Sequence, residues 1–229
     1  MTPRPPLPGR ILIPVANPAT AEELIRIGAA LLDPRAGELT ALGIVEVPEE
    51  MALSEGATRA RQARRLLQKV LDYAPEGTHI RPVVRIGRRA AQGIVEAAVE
   101  LEADLVIFGW GGRPGGRSAG GARGPRGAAG SGAGTGAGSG DAPDQPALVF
   151  SPTIDAVVRE SPCDIAVVKQ RPVAEIHRIL VPVRGGPHAE LALSFADALA
   201  RRHGARVTVL HVVPPGLTPS VRAQAEQAL

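Results

Sequence analysis

Short apolar runs alternate with longer amphipathic stretches along most of this chain. Ile11 to Val15 is β-branched and apolar throughout, the pattern of a strand buried on both faces. Asn17-Pro18 then signals a turn, and Thr20 with Glu23 three residues later reads as a capping box opening a helix. Leu24, Ile27, Gly28, Leu31 and Leu32 give that helix one apolar face. Leu39 to Val45 predicts a second strand, and Met51 to Gly56 has no period and reads as a loop. From Ala57 to Tyr73, Ala63, Leu66, Leu67, Val70 and Leu71 form a stripe, with Arg61, Arg64, Arg65 and Lys69 facing water. His79 to Ile86 predicts a third strand. Ala90 to Glu102 predicts a helix built on Ile94, Ala97, Ala98 and Leu101, and Leu105 to Phe108 a fourth strand. Ser151-Pro152 is a good N-cap and N1 pair for a helix to Glu160, and Asp164 to Val168 closes the series as a fifth strand.

Strands alternating with helices at this spacing predict parallel pairing through right-handed crossovers. The fold class is therefore α/β, with an open five-stranded parallel sheet flanked by helices. Such sheets bind ligands beyond the carboxyl ends of their strands, where strand order reverses.

The pattern also starts twice. Arg10-Ile-Leu-Ile-Pro-Val15 returns as Arg178-Ile-Leu-Val-Pro-Val183, an offset of 168 residues at which Thr40 meets Thr208 and Leu42 meets Leu210. A unit this long is a repeated domain rather than a solenoid repeat. The expected organisation is one complete domain over residues 10–169, a linker over 170–177 and an incomplete second copy over 178–229. Between Gly111 and about Pro146 hydrophobic periodicity disappears into Gly, Ala, Ser, Arg and Pro. A segment so poor in apolar surface cannot offset its ordering entropy, so residues 111–147 read as a disordered insertion.

Composition narrows the function classes. No apolar run reaches the ~18 residues of a membrane span, and the proline-rich N-terminus lacks an apolar signal core, so a cytoplasmic protein with no membrane insertion is expected. Cys163 is the one cysteine, which excludes a disulfide framework and a cysteine metal site. The net charge of +3 is modest and aromatics make up 2%, which speaks against stacking platforms and nucleic-acid binding. The five histidines lack metal-ligand spacing, and no triad or nucleophile elbow is present. Gly130 to Gly140 is glycine-rich, but no Gly-Lys-Ser/Thr follows it, so it is not a P-loop.

Three segments together carry a family likeness: the opening Ile11-Leu-Ile-Pro-Val15, the stretch Ala103-Asp-Leu-Val-Ile-Phe-Gly109, and the closing Ser161-Pro-Cys-Asp-Ile-Ala-Val-Val168. In order and spacing they resemble the universal stress protein domain over residues 10 to 169, with the start of another such domain from Arg178. Val15-Ala-Asn-Pro18 is also similar to the universal stress modules fused behind amino-acid permeases or cation antiporters. The resemblance implies a Rossmann-like fold, dimers along strand five (Ile165 to Val168) and a transporter as a possible partner. It also implies a nucleotide site for ATP or AMP, formed by Gly-x-x-Gly, nine residues, and Gly-Ser or Gly-Thr, with an aspartate after strand one. Gly109 and Gly112 match the first pair, Ser151 matches the hydroxyl, and Val45 at the end of strand two is a further candidate contact.

The departures are specific. Phe150 stands where the last glycine belongs, and thirty-odd residues replace the nine. Ala16 occupies the aspartate position, and Arg184 occupies it in the second copy. The expectation is a non-enzymatic sensing module whose nucleotide site is degenerate, with a slow ATPase as the alternative.

Overall fold

The computed structural model describes residues 6–17, 20–111, 150–169, 175–184 and 186–211. The first copy runs β1 (Arg10–Pro14), α1 (Ala21–Leu31), β2 (Glu38–Glu46), α2 (Gly56–Val70), β3 (Ile80–Gly87), α3 (Ala90–Glu100), β4 (Leu105–Trp110), α4 (Pro152–Glu160) and β5 (Asp164–Lys169). The second gives β6 (Arg178–Val183), α5 (Pro187–His203) and β7 (Arg206–His211). Strands β1 to β5 form one sheet in the order β3-β2-β1-β4-β5, every pair parallel. Strands β6 and β7 form a separate parallel pair.

Period-two alternation in the strands divides the core into two layers. Ile11, Ile13, Leu39, Leu105 and Ile107 meet Leu24, Ile25 and Leu31 of α1 and Leu67 and Val70 of α2. On the opposite face Leu12, Leu42, Val106 and Phe108 meet Ile94, Ala97 and Ala98 of α3 and Ile154 and Val157 of α4. Each fully buried Leu or Ile contributes about 1.5–3 kcal/mol, so these layers dominate the stabilisation. Gly28 lets α1 lie close to the sheet, since a Cβ there would come within 2.8 Å of Leu39 Cδ1 and 3.0 Å of Ile13 Cδ1.

The second copy repeats the first in miniature. Val181 and Val183 pack under Ala196 of α5, as Ile13 packs under α1. Helix α5 also lies on α1, where Phe195, Ala198 and Leu199 join the same core as Ile27 and Leu31. The two helices occupy equivalent places in the repeat, so the copies meet through like surfaces.

Several local expectations are corrected. Thr20 does not cap α1: its hydroxyl donates to the Asn17 carbonyl at 3.0 Å. Part of Met51 to Gly56 is ordered, with a 3-10 turn at Leu53–Glu55 and Gly56 already in α2. Leu66 is exposed, because only Leu67 and Val70 of that stripe face the sheet squarely. Residues 112–149, which contain Gly112 and nearly all of the glycine-rich insertion, lie outside the described residues, as do residues 212–229.

Candidate functional site

The sheet reverses order between β1 and β4, and a backbone gap opens there. Pairing between these strands stops at Leu12 with Val106. Strand β4 continues alongside β5 as far as Trp110 with Lys169, and β1 stays with β2, the Val15 N–H donating to the Leu42 carbonyl at 2.8 Å. Neighbouring residues of a strand direct their N–H groups to opposite sides, so residue 14 is the one that would donate towards β4. It is proline and has no N–H to give. The strands part at that point, leaving a crevice between the carboxyl ends of β1 and β4.

Of the expected site residues, Gly109 and Val45 lie towards the carboxyl ends of their strands and Ser151 at the start of α4. Gly109 sits near the end of β4, in register with Val168. Val45 sits near the end of β2, buried and in register with Ile86. Ser151 caps α4 as expected, its Oγ accepting from the Ile154 N–H at 3.3 Å. Gly112 lies outside the described residues. Ala16, just past β1, is exposed and supplies no carboxylate.

An aromatic pair lies at the carboxyl end of β4. Phe150 meets Trp110 edge to face, with ring centroids 5.3 Å apart and planes at 86°. Lys169 Nζ lies 5.6 Å from the centroid of the same indole, within cation–π range. The Trp110 Nε1–H is buried and has no hydrogen-bond partner among the described residues. Trp110 and Lys169 were not singled out from sequence. The available signal was composition: Trp110 is the chain's one tryptophan, in a protein with 2% aromatics.

Charges of both signs lie near these strand ends, Asp155 and Glu46 alongside Lys169. Asp155 places a carboxylate in the first turn of α4, where the helix dipole already has a negative partner. The Glu46 carboxylate, at the end of β2, accepts from the Ala90 N–H at 2.7 Å and so caps α3. Arg88 is committed to backbone oxygens, donating to the carbonyls of Val47 (3.2 Å), Met51 (2.8 Å) and Pro48. It therefore pins the segment after β2 instead of presenting a free charge. Cys163, at the start of β5, is half-buried, and burial pushes its thiol up, the Ser161 hydroxyl only partly opposing this. A thiol so placed is less nucleophilic at neutral pH than a free one. Among the described residues no group of His, Cys, Asp or Glu is arranged to hold a metal, and no helix is long and apolar enough to cross a membrane.

A family model described as the universal stress protein family matches residues 8–119 and 175–229. The chain belongs to the universal stress protein family. The first matched stretch covers the first copy through β4, and the second begins just before β6. Over 212 residues the chain is 28% identical to the Na(+)/H(+) antiporter NhaS5 of Synechocystis sp., a match covering 91% of this chain and 26% of the antiporter. It thus spans about a quarter of the length of that relative. A universal stress protein from Archaeoglobus fulgidus superposes with a TM-score of 0.59 at 14% identity, covering 97% of this chain and 72% of its own. A putative universal stress protein from Pseudomonas aeruginosa gives 0.52 at 15% identity, with 96% and 67% covered. At these identities the solved structures establish the shared fold, and the α/β universal stress architecture expected from sequence is the one present.

Proposed function

We propose that this universal stress chain is a non-enzymatic regulatory module whose nucleotide site has degenerated. The observation that carries this reading is the ring of Phe150, seated against Trp110 where the family pattern has a glycine. A phosphate there would need the backbone to approach without a side chain in between. Two further features support it: Ala16 offers nothing to a ribose, and Asp155 opposes a second negative charge at α4.

The test is a titration of the full chain with a fluorescent ATP analogue, with and without magnesium. The expected result is no saturation at millimolar nucleotide and no phosphate release. Saturable binding that is abolished by Gly109→Trp would overturn this reading in favour of an ATP-binding protein with slow hydrolysis. That second reading draws on Gly109 and the Ser151-capped α4, which flank the crevice.

Two partners fit the module. The outer edge of β5 has no strand beside it among the described residues, and its Ile165 to Val168 run suits antiparallel pairing with a second copy. Light scattering on wild type and on Val167→Pro would show a dimer becoming a monomer. The likeness to an antiporter supports a cation transporter as the protein regulated, acting from its cytoplasmic side. Co-purification with such an antiporter, and a changed transport rate when the module is added, would be the expected outcome.

A further inference from the structure

Thr40 is a buried hydroxyl that the fold leaves unused. It is 6% exposed, and its Oγ1 makes no hydrogen bond among the described residues, whereas the equally buried Ser194 has a partner. Burying a hydroxyl without a partner costs about 1–3 kcal/mol. The side chain lies on the α3 face of the sheet, in register with Leu12 of β1 and Arg81 of β3. There it lines a cleft of about 220 Å³ at the amino ends of β1, β2 and β3, roofed by Glu100 and Leu101 at the end of α3.

The charges around this cleft are balanced. Arg10 and Arg81 bring guanidiniums, and Glu38 and Glu100 bring carboxylates. Arg10 is held by Glu102, and Glu100 by Arg85. Arg81 and Glu38 stand 3.8 Å apart, attracted across a gap too long for a hydrogen bond. The donors of Arg81, the carboxylate of Glu38 and the hydroxyl of Thr40 therefore stay open around one small space. Leu12, Leu101 and Ala103 add an apolar wall.

We infer that this cleft binds a small zwitterion, an α-amino acid with an apolar side chain. Its carboxylate pairs with Arg81 and accepts from Thr40 Oγ1, and its ammonium pairs with Glu38. The C-terminal end of α3, the negative end of its dipole, also favours the ammonium. The side chain lies against Leu12, Leu101 and Ala103. One loose ion pair is thereby exchanged for two charge-assisted hydrogen-bonded ones. A simple anion or a metal cation fits less well, since either would meet two charges of its own sign. The volume lies below the ~300–1,000 Å³ of pockets for drug-sized ligands, too small for a nucleotide.

The described chain enters β1 from the opposite face, where Leu7 packs in the α1 layer. It leaves β4 and β5 at the other end of the sheet, and the second copy lies against α1. None of these points opens onto the cleft. The inference is independent of whether the β1–β4 crevice, at the carboxyl ends, binds nucleotide.

The probe is L-leucine, titrated into the isotope-labelled full 229-residue chain and followed by amide NMR shifts. Saturable shifts are expected at Thr40, Arg81 and Ala103. Isocaproate, which lacks the ammonium, and isoamylamine, which lacks the carboxylate, should each bind at least tenfold more weakly. Arg81→Gln and Thr40→Val should each weaken leucine binding at least fivefold. Thr40→Val removes a hydroxyl that has no bond to lose, so the fold is kept, and circular dichroism checks this for both variants. Absence of saturation at tens of millimolar leucine would overturn the inference. So would isocaproate or sulfate binding as tightly as leucine, or both variants binding leucine like wild type.

Discussion

Phe150 and Trp110 face each other across the two ends of the 112–149 segment, edge to face at 5.3 Å. The contact closes the base of a long insertion, so that β4 can hand over to α4 as if the intervening residues were short. Loop-closure entropy rises only slowly with length, by about 0.6 kcal/mol per doubling, and a clasp at the base limits how far the insertion loosens the fold.

Removing the clasp should be visible in both stability and spectrum. An edge-to-face pair contributes about 0.5–1.5 kcal/mol beyond its buried area. Phe150→Gly is therefore expected to lower the thermal midpoint by several degrees and to shift the emission of Trp110 to the red. The pair Ala16→Asp with Phe150→Gly restores two departures from the family pattern at once. It should bind the fluorescent nucleotide measurably better than wild type, and equal affinities would count against a site lost through these residues.

The repeat provides a matched comparison for burial. Leu12→Ala should cost about 2–5 kcal/mol in denaturant unfolding, the range for a leucine truncated in a packed core. Leu180→Ala, at the equivalent position, should fall within about 0.5 kcal/mol of wild type, as exposed sites do. Similar losses at the two sites would mean that Leu180 is covered in the free chain.

Asp104 anchors the start of β1. Its Oδ2 accepts from the N–H groups of both Gly9 and Arg10 at 2.8 Å. Asp104→Ala leaves two donors without that acceptor and should destabilise by about 1–3 kcal/mol in urea unfolding. The neighbouring Arg10–Glu102 ion pair is largely exposed, so Glu102→Gln should change stability by less than about 1 kcal/mol.

Cys163 gives a pH prediction with a definite sign. Burial raises its folded pKa above the unfolded value, so its contribution to stability is complete below the unfolded thiol pKa and lost as pH rises through the folded one. Urea midpoints measured across the alkaline range should therefore fall more steeply for wild type than for Cys163→Ser. Alkylation by iodoacetamide at pH 8 should also be slower than for a free thiol.

The strands were the most legible part of the sequence, because runs such as Ile11 to Val15 are apolar on both faces and fit few other roles. Ser151-Pro152 was equally readable, since cap and first turn are adjacent in sequence. What escaped depends on register between distant segments. Glu46 caps α3 from the end of β2, 44 positions before Ala90. Lys169 reaches Trp110 only because β5 pairs with β4 residue for residue. The capping box at Thr20 failed for a local reason, as the hydroxyl found the Asn17 carbonyl first. In the candidate site, the sequence departures at Ala16 and Phe150 were visible, but the contact between the Phe150 and Trp110 rings was not.

The proline in β1 recurs in β6, as Pro14 and Pro182. In the first copy it stops the lateral pairing with β4 after two residue pairs. In the second the same missing donor lies on the edge of β6 that has no strand beside it among the described residues, where it would interrupt the pairing of an incoming strand. One missing donor thus has two unrelated consequences: it parts two strands that have begun to pair, and it makes the edge of β6 a poor template for fibre-like association.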